Sequence, residues 1–328
     1  MSSTPGGSDA REPEGGAGAE PGLSNDSWHT EPSPLSLRHT RPVDDEWSPL
    51  GATEVHYLHS PAGAEFKIFI GHCRGAADRD AQVLYLFDAN GYFGGAVDVI
   101  RLMQLSLHLP PLLVVGIGYR AAILADTMER RTFDLTPSSY PYFAELFPNQ
   151  SAMGGAASLL EFIEVGLKPW VDDKYGVSSV GACYFGHSLG GLFGTWVLIH
   201  APATFGAYII GSPSLWWNDD QVLNEADQMA VQAVRLRPPP RALYFGVGAL
   251  ETHQGRVLEA ARLPEPERSK SSDRYVDMVA DTERMVDLVR QRIDGVDLYF
   301  DIFPSEFHIT VPLLILSRGL RRVFGAPL

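Results

Sequence analysis

Gly186-His187-Ser188-Leu189-Gly190-Gly191 lies between two apolar runs, Val180-Gly181-Ala182-Cys183-Tyr184-Phe185 before it and Leu192-Phe193-Gly194-Thr195-Trp196-Val197-Leu198-Ile199 after it. The pattern is G-x-S-x-G in a strand–turn–helix setting. A chain that turns this sharply from strand to helix has no room for side chains across the turn, so the glycines flanking the serine are expected to make the turn possible. Ser188 then projects from the carboxyl end of a strand, exposed to a substrate on a rigid backbone, with a helix starting beneath it. The competing reading is a glycine-rich turn that holds an ordinary serine.

Strand and helix signals alternate outward from this point. Glu54-Val55-His56-Tyr57-Leu58-His59 and Glu65-Phe66-Lys67-Ile68-Phe69-Ile70 flank Ser60-Pro61-Ala62-Gly63, which predicts an antiparallel hairpin. Val83 to Phe87, Leu112 to Gly118, Ala207 to Gly211 and Ala242 to Gly248 are continuous apolar runs, as strands buried on both faces should be. Helices are predicted from Ala96 to His108, Ala156 to Val171 and Asp219 to Val234, the last stopped by Pro238-Pro239-Pro240. Tyr275, Met278, Val279, Val286, Val289 and Ile293 form the apolar stripe of another helix. Val296 to Ile302 alternates like an edge strand, and a closing helix covers Thr310 to Phe324. This order predicts an α/β fold: a mostly parallel central sheet, helices on both faces and an antiparallel N-terminal hairpin. Arg130 to Gly155 and residues 252–271 read as loops, with 138–155 as a lid. Residues 1–45 are rich in Gly, Pro, Ser and acid and read as a disordered leader, which leaves one domain over 46–328.

The chain has 328 residues and a net charge of −14. Nucleic acid is excluded as an expected partner, since phosphate binding needs concentrated Lys and Arg. Much of the acidity is local: through Leu50 there are nine acids and three bases. Two isolated cysteines, Cys73 and Cys183, give neither a disulfide framework nor zinc spacing. The N-terminus carries no secretory signal, and no apolar stretch approaches the roughly 18 residues of a membrane span. The expectation is a cytoplasmic protein with no membrane partner.

In an open parallel sheet, residues just past the carboxyl ends of the strands converge on one crevice. Asn90, Ser188, Glu251 and His308 all hold that position. A serine hydroxyl needs a neighbouring base, which imidazole supplies near neutral pH. A carboxylate then holds the imidazole in one tautomer. Of the ten histidines, only His308 follows the last strand; His253 is the rival base. Glu251 is the expected acid, with Asp219, Asp301 or a bare Ser-His dyad as alternatives. The oxyanion needs backbone donors, each worth about 3 kcal/mol of barrier. Leu189 N–H is one by the geometry of the turn, and Asn90 N–H is the second. No cofactor is required, and no His/Asp/Glu cluster suits a metal.

Leu84-Tyr85-Leu86-Phe87-Asp88-Ala89-Asn90-Gly91-Tyr92-Phe93, Arg130-Arg131-Thr132-Phe133-Asp134-Leu135-Thr136-Pro137, Gly154-Gly155-Ala156, Leu167-Lys168-Pro169-Trp170, Ser212-Pro213-Ser214-Leu215-Trp216-Trp217 and Phe307-His308 occur in that order around the serine motif. Together they resemble the esterase D and ferric enterobactin (trilactone siderophore) esterases, over residues 50 to 325. The resemblance implies an α/β-hydrolase fold and serine ester hydrolysis with a Glu or Asp acid. One departure is Ala89, where the family usually has Gly, so a methyl is expected to narrow the pocket or tilt the oxyanion donor. Arg130 and Arg131 are candidates to hold an anionic or catechol-bearing acyl group, against the alternative that one of them pairs with Asp134. Trp216, Trp217 and His187 complete the candidate substrate-binding set. The expected function is a carboxylic-ester hydrolase acting through an acyl-enzyme on a small-molecule ester or lactone, siderophore-like or from secondary metabolism. An acyltransferase or cyclase using the same acyl-enzyme is the alternative, and a non-catalytic binding protein of the same fold is the third.

Overall fold

The computed structural model describes residues 51–73, 81–106, 109–231, 240–261 and 276–325. The expected leader, the polyproline stop at 238–239, Tyr275 of the helical stripe and residues 262–271 of the charged stretch 252–271 lie outside the described residues.

Eight strands form one sheet: β1 (Thr53–His59), β2 (Glu65–Cys73), β3 (Gln82–Leu86), β4 (Leu112–Gly118), β5 (Cys183–His187), β6 (Ala207–Gly211), β7 (Ala242–Gly248) and β8 (Asp297–Phe303). Their order is β1-β2-β4-β3-β5-β6-β7-β8. β2 runs antiparallel to both of its neighbours, and every pairing from β4 to β8 is parallel. The hairpin, the parallel sheet and the edge position of the last strand follow the sequence reading.

The continuous apolar runs have a physical cause in this layering. Along β3, Val83 and Tyr85 belong to the core on one face, and Leu84 and Leu86 to the core on the other. Side chains alternate between faces, so a strand covered twice must be apolar at every position. Complete burial of each such side chain contributes about 1.5–3 kcal/mol.

Ten helices are described. In chain order they are α1 (Ala89–Ser106), α2 (Met128–Leu135), α3 (Pro141–Leu146), α4 (Ala156–Glu161), α5 (Lys168–Tyr175), α6 (Leu189–His200), α7 (Gln221–Val231), α8 (His253–Ala260), α9 (Met278–Arg292) and α10 (Pro312–Phe324). A π-helical stretch, Phe162–Leu167, joins α4 to α5.

Two differences from expectation concern the site. α1 starts at Ala89, seven residues before the predicted start. A Cβ at Gly95 would lie 2.7 Å from Leu313 and one at Gly91 3.0 Å from Leu124, so these glycines admit close neighbours. The second difference is α2, which occupies part of the stretch read as a loop. Its buried residues are Arg131, Thr132, Asp134 and Leu135, mostly polar, so no apolar period marks it. The expected lid, 138–155, contains α3 and a 3-10 turn, Pro148–Gln150. It is tied down at several points. Trp217 donates to the Ser138 carbonyl at 3.2 Å, Thr132 donates to Gln150 at 2.8 Å, and Gly155 N–H donates to the Phe133 carbonyl at 2.8 Å.

Candidate active site

Ser188 has φ 62° and ψ −120°, a conformation that non-glycine residues rarely adopt. Its N–H donates to the Gly211 carbonyl of β6 at 3.0 Å, and its own carbonyl accepts from Leu192 N–H at 2.9 Å and Ser214 N–H at 3.1 Å. These three bonds clamp the strained residue between β5, β6 and α6. The glycines divide by role. A Cβ on Gly186 would lie 2.5 Å from the Gly190 carbonyl oxygen, and one on Gly191 2.6 Å from the Gly211 carbonyl oxygen. A Cβ on Gly190 would reach nothing closer than Asp88 Oδ2 at 3.5 Å. The first glycine of the pattern and the extra Gly191 therefore carry the steric requirement.

His308 stands after β8, in the loop ahead of α10. The Ser188 hydroxyl lies 3.0 Å from His308 Nε2, and His308 Nδ1 lies 2.6 Å from Glu251 Oε2. A buried carboxylate only accepts, which places the ring proton on Nδ1 and leaves Nε2 free to accept from Ser188. Glu251 is held by two further donors on Oε1: the Ser212 hydroxyl at 2.6 Å and Gly248 N–H at 2.7 Å. Only 2 % of Glu251 is exposed, so this chain of bonds works in a low dielectric. Ser212 holds Glu251 in place, a contact not expected from the sequence. Its signals were its place directly after an apolar strand and its inclusion in the Ser212–Trp217 segment that resembles the esterases. Of the alternative acids, Asp301 is engaged elsewhere, accepting from the Tyr244 hydroxyl at 2.9 Å.

His187 lies behind His308, ring centroids 4.5 Å apart and planes at 40°. It is buried, and its Nδ1 meets the Tyr92 hydroxyl at 3.3 Å. Burial, then the neighbouring His308 and Arg131, hold its pKa well below the ordinary value, so the ring stays neutral. As a candidate substrate contact His187 is corrected: it backs the His308 imidazole from inside the protein.

The Leu189 and Asn90 backbone N–H groups sit in the first turns of α6 and α1, where donors lack intrahelical acceptors. The Asn90 side chain is spent on scaffold: its amide donates to the Tyr119 and Ala121 carbonyls at 3.0 and 2.8 Å, and its oxygen accepts from Tyr119 N–H at 2.8 Å. This clamp holds the first turn of α1 to the end of β4. The methyl of Ala89 does not face the cavity. It packs on β4 where Gly116 leaves room, and a Cβ there would approach it to 2.8 Å. The expected narrowing at Ala89 is thus corrected: its methyl packs directly on Gly116 of β4.

Arg131 is also corrected as a substrate contact. It forms a bidentate pair with Asp88, at 2.6 and 2.9 Å, with 6 % and 0 % of the two side chains exposed. Asp88 has φ 54° and immediately precedes α1, so the pair braces the turn that carries the Asn90 N–H. Arg130 forms its own fork with Asp134 at 2.7 and 2.8 Å, the alternative weighed from sequence. Trp217 is fully buried, whereas Trp216 lines the cavity beside Ser188. That cavity, of about 340 Å³, is walled by Ser188, Ser214, Trp216, Leu250, Glu251, Arg256, Glu259, Met278, His308 and Ile309. Arg256 and Glu259 come from α8, in the stretch read as a charged loop.

A family model described as "Putative esterase" matches residues 75–285. The chain belongs to this esterase family. It is 31% identical over 244 residues to the ferri-bacillibactin esterase BesA of Bacillus subtilis (strain 168), which covers 73% of this chain and 77% of that protein. It is 27% identical over 295 residues to the siderophore triacetylfusarinine C esterase of Aspergillus fumigatus, covering 84% of this chain and 94% of the relative. Among solved structures, the siderophore hydrolase EstB from Aspergillus nidulans superposes with a TM-score of 0.66 at 26% identity, covering 84% and 96% of the two chains. The esterase therefore has the α/β-hydrolase fold expected from its sequence, and it is a serine ester hydrolase. Among its described residues, no helix is long and apolar enough to cross a membrane.

Proposed function

We propose that this esterase hydrolyses a siderophore-type ester through an acyl-enzyme on Ser188. The supporting observation is the unbroken line of bonds from the Ser188 hydroxyl through His308 to Glu251, at 3.0 and 2.6 Å. His308 Nε2 takes the hydroxyl proton as Ser188 Oγ attacks the ester carbonyl. The resulting imidazolium is stabilised by Glu251, which Ser212 and Gly248 keep in place. Leu189 and Asn90 N–H groups receive the oxyanion. His308 then passes its proton to the leaving alcohol, and the acyl group stays on Ser188. Water, deprotonated by the same imidazole, releases the acid. The siderophore substrate class rests on the relatives, whose names record esterases of ferri-bacillibactin and triacetylfusarinine C.

Intact-mass measurement after exposure to a fluorophosphonate tests the nucleophile. One adduct is expected on the native protein and none on Ser188→Ala; an adduct on both places the nucleophile elsewhere. Liberation of free hydroxy acid from a trilactone siderophore by the native protein alone tests the substrate class.

A further inference from the structure

Among the residues that wall the catalytic cavity, Arg256 is the one guanidinium. Other arginines of the described fold have carboxylate partners: Arg131 has Asp88, Arg130 has Asp134, and Arg120 has Glu65. Arg256, half-buried on α8, has no ion pair and no side-chain hydrogen bond with the described residues. Glu251 makes no hydrogen bond to it; its oxygens accept from Ser212, Gly248 and His308. Glu259, one turn further along α8, is on the same wall but closes no bond with Arg256. Burial pulls the Arg256 guanidinium below its ordinary pKa, and the charges of Glu259 and Glu251 partly offset this. A half-buried cation that no carboxylate of the described residues bonds directly is unfavourable unless something else supplies the anion. A planar guanidinium is matched best by the two oxygens of a carboxylate.

The position of this cation decides which half of the substrate it reads. The cavity is walled by the loops that carry Glu251 and His308, through Leu250, Glu251, His308 and Ile309. His308 must deliver its proton to the departing oxygen, so the alcohol half occupies the side where His308 stands. We propose that Arg256 selects esters whose leaving alcohol is a hydroxy acid, binding the free carboxylate of that alcohol within the cavity. Trp216, Leu250, Met278 and Ile309 then cover the carbon chain between hydroxyl and carboxylate. The inference rests on Ser188 being the nucleophile, and it deepens that reading for the linear esters left after a lactone ring is opened, whose terminal leaving alcohol carries a free carboxylate.

Two butyryl esters test it, one of 3-hydroxypropanoate and one of 3-hydroxypropanamide, which differ only in charge. The native enzyme should favour the carboxylate ester in kcat/KM by roughly tenfold or more, the factor carried by one charged hydrogen bond. Arg256→Met should bring the ratio to near one, and Arg256→Lys should hold it between the two. The native ratio should also fall as sodium chloride is raised, since an ion pair is screened. This needs no variant, so misfolding of Arg256→Met would not protect the proposal. A native ratio near one, or a ratio unchanged in Arg256→Met, overturns it. So does an equal preference for a carboxylate on the acyl half, tested with the 3-hydroxypropanamide esters of succinic and valeric acids. Ser188→Ala run alongside separates the two failures: turnover that survives in that variant removes the nucleophile, whatever the ratio.

Discussion

At the scale of single residues, the site is a set of side chains each held by more than one bond. Glu251 shows why the supports matter. Its Oε2 holds His308 Nδ1 at 2.6 Å, and its Oε1 is pinned by Ser212 at 2.6 Å and Gly248 at 2.7 Å. Replacing the carboxylate by an amide offers the imidazole a donor where it needs an acceptor. Glu251→Gln should therefore lower kcat by about 10³- to 10⁴-fold with little change in KM. Ser212→Ala removes one donor and leaves the carboxylate, so its expected loss is about tenfold, again in kcat. Steady-state kinetics on one ester checks both, and equal losses would mean that Ser212 does more than position Glu251. The Glu251 and His308 positions were legible in sequence because each follows a recognisable strand. Ser212 was not, because its role depends on a partner 39 residues away.

At the scale of elements, two junctions carry the machinery: the turn from β5 into α6, and the turn from β3 into α1. The first is governed by steric limits that differ between its glycines. Gly186→Ala would push a methyl to 2.5 Å from a backbone oxygen, whereas Gly190→Ala places its methyl 3.5 Å from Asp88. We expect Gly186→Ala to lose folded protein or activity and Gly190→Ala to retain the fold. Circular dichroism and thermal unfolding of the two purified variants would decide, and equal tolerance would refute the steric account. The second junction is braced by the Asp88–Arg131 pair. Arg131→Met leaves a carboxylate buried without its cation, at a cost of about 3–5 kcal/mol. Adding Asp88→Asn removes the charge as well. The double variant should be more stable than the sum of the single changes by about 1–3 kcal/mol in denaturant titrations. Strict additivity would show that the two side chains do not depend on each other. From sequence, Arg131 looked equally suited to a substrate, since an arginine in a stretch without period gives no sign of burial.

At the scale of the whole molecule, the buried His187 ties global stability to pH. Its folded-state pKa lies well below the ordinary 6.5 it regains on unfolding. Between those values the unfolded chain binds a proton that the folded chain refuses. The stabilising effect of the neutral ring is therefore complete above pH 6.5 and is lost as pH falls below it. The expected slope is about 1.4 kcal/mol per pH unit. His187→Phe keeps a ring and removes the titration, so the stability difference between the native protein and this variant should change with that slope below pH 6.5 and be flat above it. Urea unfolding from pH 7.5 to 5 would measure it. A constant difference would mean that His187 titrates normally in the folded state.

The order of the strands, the serine turn and the places of Glu251 and His308 just past their strands were determined by the sequence alone. Those features are encoded locally, by runs that must be apolar where a strand is covered twice and by glycines where the backbone turns sharply. Tertiary structure alone decided which arginines are occupied, which tryptophan meets the cavity, and where α2 and α8 form from mostly polar segments. It also decided that the Ala89 methyl has a place opposite Gly116. Each of these depends on what lies across the sheet or cavity from a residue, and a linear pattern carries no record of that neighbour.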